Sequence, residues 1–242
     1  MLNQCCVVMP YYKANVLLNW QIQLWLSYSE DIRNALTFII VDDGSPVGRA
    51  IDVLKENKEK ILSAGLKIEL YEVTIDKIWN SEGASNLGIQ QVTTDRFLRM
   101  DFDYHFEEES MRKILETDLK QDEWYNFTVL RYGTREHILS HVNTYLMMKE
   151  TFWKSGGYDE DFCGNYGWTD LLLERILAKF TQKIERDDVF LVTCSFDSTH
   201  GLERDGSVNK ELLARKTEEY AYKTDFSKEI IRFPWRKVDL WQ

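Results

Sequence analysis

Two aspartates separated by one residue, Asp101 and Asp103, are the strongest candidates for direct chemistry. They end an apolar segment, and in an extended chain the side chains of residues i and i+2 lie on the same face. Two close carboxylates repel each other unless a cation lies between or beside them. Oxygen ligands of this kind suit Mg²⁺ or Mn²⁺. The pattern predicts a divalent metal site with Phe102 turned into the protein, although an ordinary acidic turn has the same residues.

A second acidic segment follows another apolar run and reads Asp42-Asp43-Gly44-Ser45. A carboxylate at the end of a strand could accept a hydrogen bond from the base or a sugar hydroxyl of a nucleotide. Asp, Gly and Ser also favour turns, so the segment alone leaves both interpretations open.

The elements that must position these acids alternate along roughly the first hundred residues. Apolar runs predict strands at 4–9, 36–41, 67–73 and 96–101. Helices are predicted at 16–28, 48–62 and 82–92. This alternation predicts an α/β fold with a mostly parallel central sheet flanked by helices. Ligands of such sheets bind beyond the carboxyl ends of the strands, which is where both acidic segments lie.

The second half of the chain is less regular. Strands are predicted near 124–130, 144–149 and 189–195, and helices near 168–180 and 209–222. The last residues are rich in aromatic side chains, among them Phe226, Phe233, Trp235 and Trp241. We expect this tail to pack back on the body of the protein, because exposing so much apolar surface to water is unfavourable.

Five segments together resemble GT-A fold glycosyltransferases, particularly family 2 and its relatives. The first three are VVMPYYK, IIVDDGSP and MDFD; WNSEGASNLGI and GGYDEDFCGNYGWTDLLLERI are similar to motifs of the β-1,4-galactosyltransferases. A sixth, STHGLERDGSVNKELLARK, resembles the C-terminal histidine segment of those enzymes. The resemblance covers roughly residues 4–216 and implies one GT-A domain over 1–242. Residues 1–105 then form the nucleotide-sugar half, 106–225 the acceptor and catalytic half, and 226–242 the aromatic tail.

The resemblance implies an inverting transfer of a hexose, with galactose or N-acetylgalactosamine favoured, from a UDP-sugar donor to an oligosaccharide or glycoconjugate acceptor. Tyr12 is expected to border the uracil, Asp42 to contact the base or ribose, and Asp43 to shape the loop. The residues implied in nucleotide-sugar binding are Pro10, Tyr12, Asp42, Asp43, Asn80, Asn86 and Asp101.

The same resemblance implies a metal held by Asp103 and His200, with Asp101 helping through the ribose or through water. An imidazole ligand favours Mn²⁺, with Mg²⁺ as the alternative. His105, which lies close to the acidic pair, is a rival ligand, and a surface histidine in a polar loop is the other interpretation of His200.

Asp170 matches the catalytic base of the acceptor motif, and Gly167, Trp168 and Thr169 are expected to bind the acceptor. Asp170 also begins a predicted helix, where an acid is stabilised by the helix dipole. Thr169 stands where these enzymes commonly have Glu. This departure leaves open an alternative, a nucleotide-sugar-binding protein without transferase activity.

Composition and charge limit the other classes. The chain has 242 residues, 44% of them hydrophobic, and a formal net charge of -10, which argues against a nucleic-acid binder. No apolar run reaches the roughly 20 residues of a transmembrane segment, and the N-terminus lacks the pattern of a signal peptide. Four cysteines without a Cys-x-x-Cys pair favour reduced thiols in a cytoplasmic protein, which can lie at the inner face of a membrane. The glycine motifs of P-loop and dinucleotide enzymes are absent from the sequence.

Overall fold

One mixed sheet with helices on both faces forms the body of the protein. The computed structural model describes residues 2–138, 140–194 and 202–241. The strands are β1 (Cys5–Tyr11), β2 (Leu36–Asp42), β3 (Ile68–Val73), β4 (Arg96–Arg99), β5 (Tyr104–Phe106), β6 (Glu123–Leu130), β7 (His137–Ile138), β8 (Tyr145–Met148), β9 (Gln182–Thr193) and β10 (Trp235–Val238). The helices are α1 (Asn15–Ser27), α2 (Glu30–Ala35), α3 (Ala50–Glu56), α4 (Lys58–Ser63), α5 (Ser81–Gln90), α6 (Glu108–Glu116), α7 (Lys149–Lys154), α8 (Thr169–Leu177) and α9 (Ser207–Tyr220), with a 3-10 turn at Glu160–Phe162.

The strand order is β10-β3-β2-β1-β4-β8-β6-β9-β5, with β7 paired to β6. Strands β3, β2, β1 and β4 are parallel, as predicted for the first half of the chain. Beyond β4 the sheet is mixed: β8 is antiparallel to both β4 and β6, whereas β6 and β9 are parallel. The physical reason is connection length, since β6, β7 and β8 follow one another through short loops, and parallel neighbours need a crossover.

Strand β1 is buried on both faces, which explains its unbroken apolar sequence. Cys5, Val7 and Met9 belong to one core with α1, α3, α4 and α6. Cys6 and Val8 belong to a second core with α5, α7 and α8. The alternation of neighbouring side chains along a strand thus divides the apolar interior into two layers.

Helix α5 packs unusually close to β1. A Cβ atom at Gly88 would lie 2.6 Å from Cγ1 of Val8, so only glycine allows this approach. Because the N-terminal end of α5 carries candidate site residues, the close packing fixes their distance from the ends of the strands.

The single helix predicted at 48–62 is two helices, α3 and α4, which meet at Asn57. The Asn57 side chain donates to the carbonyl of Val53 at 2.9 Å and to the Asn19 side chain at 2.8 Å. Such side-chain bonds to the local backbone compete with a continuous helix.

The aromatic tail packs on the body, as predicted. Phe226 and Phe233 are buried, and β10 extends the sheet antiparallel to β3. Strand β9 is longer than predicted, because its charged first half also pairs with β6. The register of this pairing shifts between Phe127 and Thr128. Within the described residues, no helix combines the length and apolar character needed to span a bilayer.

Candidate active site

A cleft of about 330 Å³ opens where the chain leaves β1 and β4 at their carboxyl ends. Residues from seven separate segments of the chain line it. The predicted site residues among them are Pro10, Tyr12, Asp43, Asn80, Asp101, Asp103, Gly167 and Asp170. Asp42, Asn86, Trp168 and Thr169 are described residues that do not line the cleft. His200 lies outside the described residues.

The first acid of the Asp-x-Asp pair is held by two cationic or ionisable neighbours. Asp101 Oδ1 accepts a hydrogen bond from Arg99 at 2.6 Å, and the Arg99 side chain is only 2% exposed. Nε2 of His141 lies 3.4 Å from Asp101 Oδ2. Phe102 is buried between the two aspartates, as predicted. One carboxylate of the pair is therefore engaged by the protein itself.

The second acid, Asp103, also lines the cleft, and carboxylate oxygens are ligands that divalent cations prefer. No group of three or more His, Cys, Asp and Glu among the described residues has an arrangement that could hold a metal. Mg²⁺ is nonetheless commonly bound by one or two carboxylates together with substrate phosphates. The donor set fits a cation that shares its coordination with a bound phosphate, not one held by a cage of protein ligands. His105 does not line the cleft, because its ring packs edge-on against Trp20 at 4.7 Å.

The two acids after β2 differ in what they bind. Asp42 accepts from the backbone N–H of Ser45 at 3.0 Å and of Ala50 at 2.8 Å, so its carboxylate shapes the loop that leads into α3. Asp43 faces the cleft and accepts from Nδ2 of Asn80 at 2.6 Å. Burial raises the pKa of Asp43 to about 8, although the Asn80 hydrogen bond opposes that shift.

Asp170 lies in the first turn of α8, with its side chain toward the same cleft. Burial raises the pKa of its carboxyl, and the backbone N–H of Leu171 limits the rise. A carboxylate with a raised pKa is a better proton acceptor near neutral pH than an exposed one. The position thus suits a general base.

Glu82, in the first turn of α5, is a cleft acid that the sequence analysis missed. Burial raises the pKa of its carboxyl to about 7. The sequence did offer a reason to consider Glu82, because it lies between Asn80 and Asn86, which were both predicted to belong to the site. His141 and Arg99 were missed as well, and the only signal for Arg99 was a charged residue at the end of an apolar strand.

The segment before α8 is held by a buried amide. Nδ2 of Asn209 lies within hydrogen-bond distance of three carbonyls: Phe162 at 3.0 Å, Asn165 at 2.9 Å and Gly167 at 3.0 Å. Trp168, at the end of this segment, has a left-handed backbone with a φ of 77°. We call residues 162–168 the acceptor loop, because its last two residues, Gly167 and Trp168, are among those predicted to bind the acceptor.

An aromatic wall closes the cleft on the acceptor-loop side. The rings of Trp79 and Tyr166 are 4.7 Å apart, and the Arg204 guanidinium lies 5.6 Å from the centre of the Tyr166 ring. Asn86 is fully buried and does not line the cleft; it donates to the carbonyl of Tyr158 at 3.0 Å and to Glu160 at 2.9 Å. Its observed contacts join α5 to the second half of the chain.

Solved structures show which proteins share this architecture. TarS from S. aureus in complex with UDP-GlcNAc matches with a TM-score of 0.69 at 10% identity, over 90% of this chain and 67% of that one. The chain has the fold of GT-A-type glycosyltransferases. The mannosyltransferase PcManGT from Pyrobaculum calidifontis in complex with GDP-Man and Mn²⁺ matches with a TM-score of 0.62 at 14% identity, over 83% of this chain and 59% of that one. The present chain spans 44% of the length of a longer TarS chain. No protein-family model and no curated protein matches the sequence.

The predicted fold class is therefore confirmed. The likeness of individual motifs to β-1,4-galactosyltransferases stays a prediction, because both neighbours are other glycosyltransferases and their identity to this chain is low.

Proposed function

We propose that the protein is a metal-dependent, inverting glycosyltransferase that moves a hexose from a UDP-sugar to a hydroxyl of a glycan acceptor. Galactose or N-acetylgalactosamine is the favoured sugar, on the motif resemblance alone. The observation that carries the proposal is the meeting of Asp43, Asp103 and Asp170 in one cleft, at the end of the sheet where ligands of this architecture bind.

The donor nucleotide lies, in this proposal, against Pro10, Tyr12 and the Asp43–Asn80 pair. Tyr12 lines the cleft, and its hydroxyl donates to Asp76 at 3.0 Å, which supports this part of the proposal by fixing the ring beside the cleft. The ligands named for the two structural neighbours, UDP-GlcNAc and GDP-Man, support a nucleotide-sugar donor. The Mn²⁺ named for PcManGT supports a divalent cation.

Asp103 and His200 are the residues proposed to hold Mn²⁺, or Mg²⁺ in its place. When bound, such a cation neutralises charge on the departing nucleoside diphosphate. Asp101, held by Arg99, contributes its fixed charge and geometry beside that position.

Asp170 is the proposed general base. It removes the proton from the acceptor hydroxyl as that oxygen forms a bond to the anomeric carbon of the donor. The bond between that carbon and the diphosphate oxygen breaks at the same time, so the anomeric configuration inverts. Gly167, Trp168 and Thr169, which lead into α8, are proposed to orient the acceptor beside this carboxylate.

A thermal-shift titration with UDP, GDP and CMP, each with Mn²⁺, Mg²⁺ or EDTA, tests the donor site. A nucleotide at about a hundred times its dissociation constant adds roughly 2.7 kcal/mol, which is a shift of roughly 5–10 °C for a chain of this size. We expect stabilisation by UDP only with the cation, lost in Asp103→Ala. No shift with any nucleotide would contradict the proposal. Binding without transfer from UDP-galactose, UDP-N-acetylgalactosamine or UDP-glucose to a wide panel of glycan acceptors would favour the non-transferring alternative.

A further inference from the structure

Arg99 is a charged side chain in the middle of the sheet. It ends β4, which pairs with β1 on one side and β8 on the other, and only 2% of the side chain is exposed. Burying a guanidinium is strongly unfavourable unless the group is paired and hydrogen-bonded. Burial of the Arg99 guanidinium therefore costs free energy, and its hydrogen-bond partners indicate what the group does at this position.

The guanidinium joins three segments that meet beneath the cleft. It donates to Asp101 Oδ1 at 2.6 Å, to the carbonyl of Asn143 at 2.6 Å and, through Nε, to the Ser85 hydroxyl at 3.3 Å. Asp101 and Asn143 both line the cleft, and Ser85 belongs to α5. The planar fork of an arginine can hold several acceptors in fixed directions at once, which a lysine cannot do.

The cleft needs such a cation. Five acidic side chains line it, those of Asp43, Glu82, Asp101, Asp103 and Asp170, whereas Arg204 is the one Lys or Arg among the described residues that line it. A diphosphate brought into this surrounding is repelled unless positive charge offsets the acids. Arg99 neutralises Asp101, two residues before Asp103, and does not itself line the cleft.

We propose that Arg99 is a positioning residue of the donor site: by holding Asp101 it sets the affinity of the cleft for a nucleoside diphosphate together with its divalent cation. The inference rests on the proposed function, since it assumes that this cleft binds the donor. Arg99 itself touches neither the donor nor the cation; it acts through the direction and the charge balance of Asp101.

The test is a double-mutant cycle on Arg99 and Asp101, read out by the dissociation constant for UDP in the presence of Mn²⁺, and for GDP if UDP does not bind. Calorimetry on the full chain measures this constant without any transfer reaction. We expect Arg99→Met to weaken binding by about tenfold or more and Arg99→Lys by a smaller factor, because an ammonium cannot reproduce the three directed bonds. In an Asp101→Asn background, Arg99→Met should change the constant by less than about twofold, since coupled residues are not additive.

Arg186→Met is the matched control. Arg186 is also partly buried, with 22% of its side chain exposed, and forms a two-pronged ion pair with Asp188 at 2.7 and 2.9 Å. It does not line the cleft. We expect this variant to lower the melting temperature while leaving the dissociation constant unchanged.

Several results would overturn the proposed role of Arg99 in donor binding. Equal affinity in the wild type and in a folded Arg99→Met variant would leave Arg99 a purely structural residue and overturn the inference. If that variant does not fold, Arg99→Lys decides in the same way, with unchanged affinity as the contradicting result. Independent, additive losses from Arg99 and Asp101 would also overturn it. A wild-type protein that binds neither UDP nor GDP with Mn²⁺ would instead remove the proposed function on which the inference depends.

Discussion

The carboxyl of Asp170 combines exposure to the cleft with a pKa that burial raises. A general base must be deprotonated, so transfer is expected to fall as the pH drops through this raised pKa, at a higher pH than for an ordinary aspartate. We expect Asp170→Asn to lower the transfer rate by about 10²–10⁴-fold with donor binding unchanged. Steady-state rates across pH, beside calorimetric nucleotide binding, measure both effects.

Glu174→Gln is the control for that experiment. Glu174 is on the same helix and pairs with Lys183 at 2.5 Å, but it does not line the cleft. Its substitution should leave the rate at high pH near that of the wild type and move the fall in rate only slightly to lower pH, because the Glu174 charge adds to the burial that raises the pKa of Asp170. A rate for Asp170→Asn equal to that of this control would remove Asp170 from the mechanism.

Asp43 predicts a pH dependence of stability. Its pKa is raised from 3.8 to about 8 mainly by burial, so between these values the folded protein binds more protons than the unfolded one. The free energy of unfolding therefore falls as the pH rises through this range. Asp43→Asn, which stays neutral and keeps an acceptor for Asn80, should be more stable than the wild type at pH 7 and lose less stability between pH 5 and 8. Thermal unfolding at several pH values measures this, and identical slopes for the two proteins would contradict it.

Sequence reasoning located acids whose positions follow directly from strand ends. Asp43, Asp101 and Asp103 come immediately after apolar runs, and strand ends in a parallel sheet meet at one edge. It assigned the shaping of the loop to Asp43, but the carboxylate that accepts from the loop backbone is that of Asp42. Which of the two turns back depends on the backbone N–H groups of Ser45 and Ala50, which no local pattern records. The burial of Arg99 could not be predicted for a related reason, because it depends on partners such as Ser85 and Asn143 that are distant in sequence.

At the scale of elements, strands β1 to β4 and helix α1 were predictable, because burial on one or two faces leaves a clear apolar pattern in the sequence. Helices α2 and α7, with six residues each, were not predicted. A helix this short has little intrinsic stability and forms only through tertiary packing, which no local pattern records. The charged first half of β9 was missed because its apolar content is low and its partner β6 supplies the pairing.

Helix α9 holds the acceptor loop through a buried amide, beside the apolar packing of Phe162 against Leu213. Asn209 is 1% exposed, and its amide nitrogen is the shared partner of three loop carbonyls. We expect Asn209→Ala to destabilise the fold by about 1–3 kcal/mol and to expose the loop, because buried acceptors lose their donor. Limited proteolysis near Gly164–Gly167, followed by mass spectrometry, should show faster cleavage.

Asn57→Ala provides the comparison for the loop. Asn57 is also buried and donates to two partners, but it lies between α3 and α4, away from the acceptor loop. A similar loss of stability without faster cleavage near Gly164–Gly167 is expected. Equal cleavage rates in the two variants would mean that Asn209 stabilises the fold in general and not the loop in particular.

At the scale of the whole molecule, the C-terminal tail contacts both halves of the chain. β10 pairs with β3 at the edge of the first half, although it comes from the last residues of the chain. Buried Glu160 accepts from the backbone N–H of Ile231 at 2.6 Å and of Arg232 at 3.0 Å, and from Asn86 in α5 at 2.9 Å. Both halves and the tail thus share one buried carboxylate.

This arrangement predicts that the protein unfolds as one unit and that Glu160 stabilises all of it. Glu160→Ala removes the shared acceptor of the buried Asn86 amide and of two partly buried backbone N–H groups, so we expect a loss of about 2–3 kcal/mol. Glu136→Ala removes a carboxylate that is 65% exposed and paired with Arg131, and such a pair contributes about 0–1 kcal/mol. Urea unfolding, followed by both far-ultraviolet circular dichroism and tryptophan fluorescence, should give one shared transition in each protein. Two separate transitions in the wild type would mean that the halves fold independently and that the Glu160 contacts only join them.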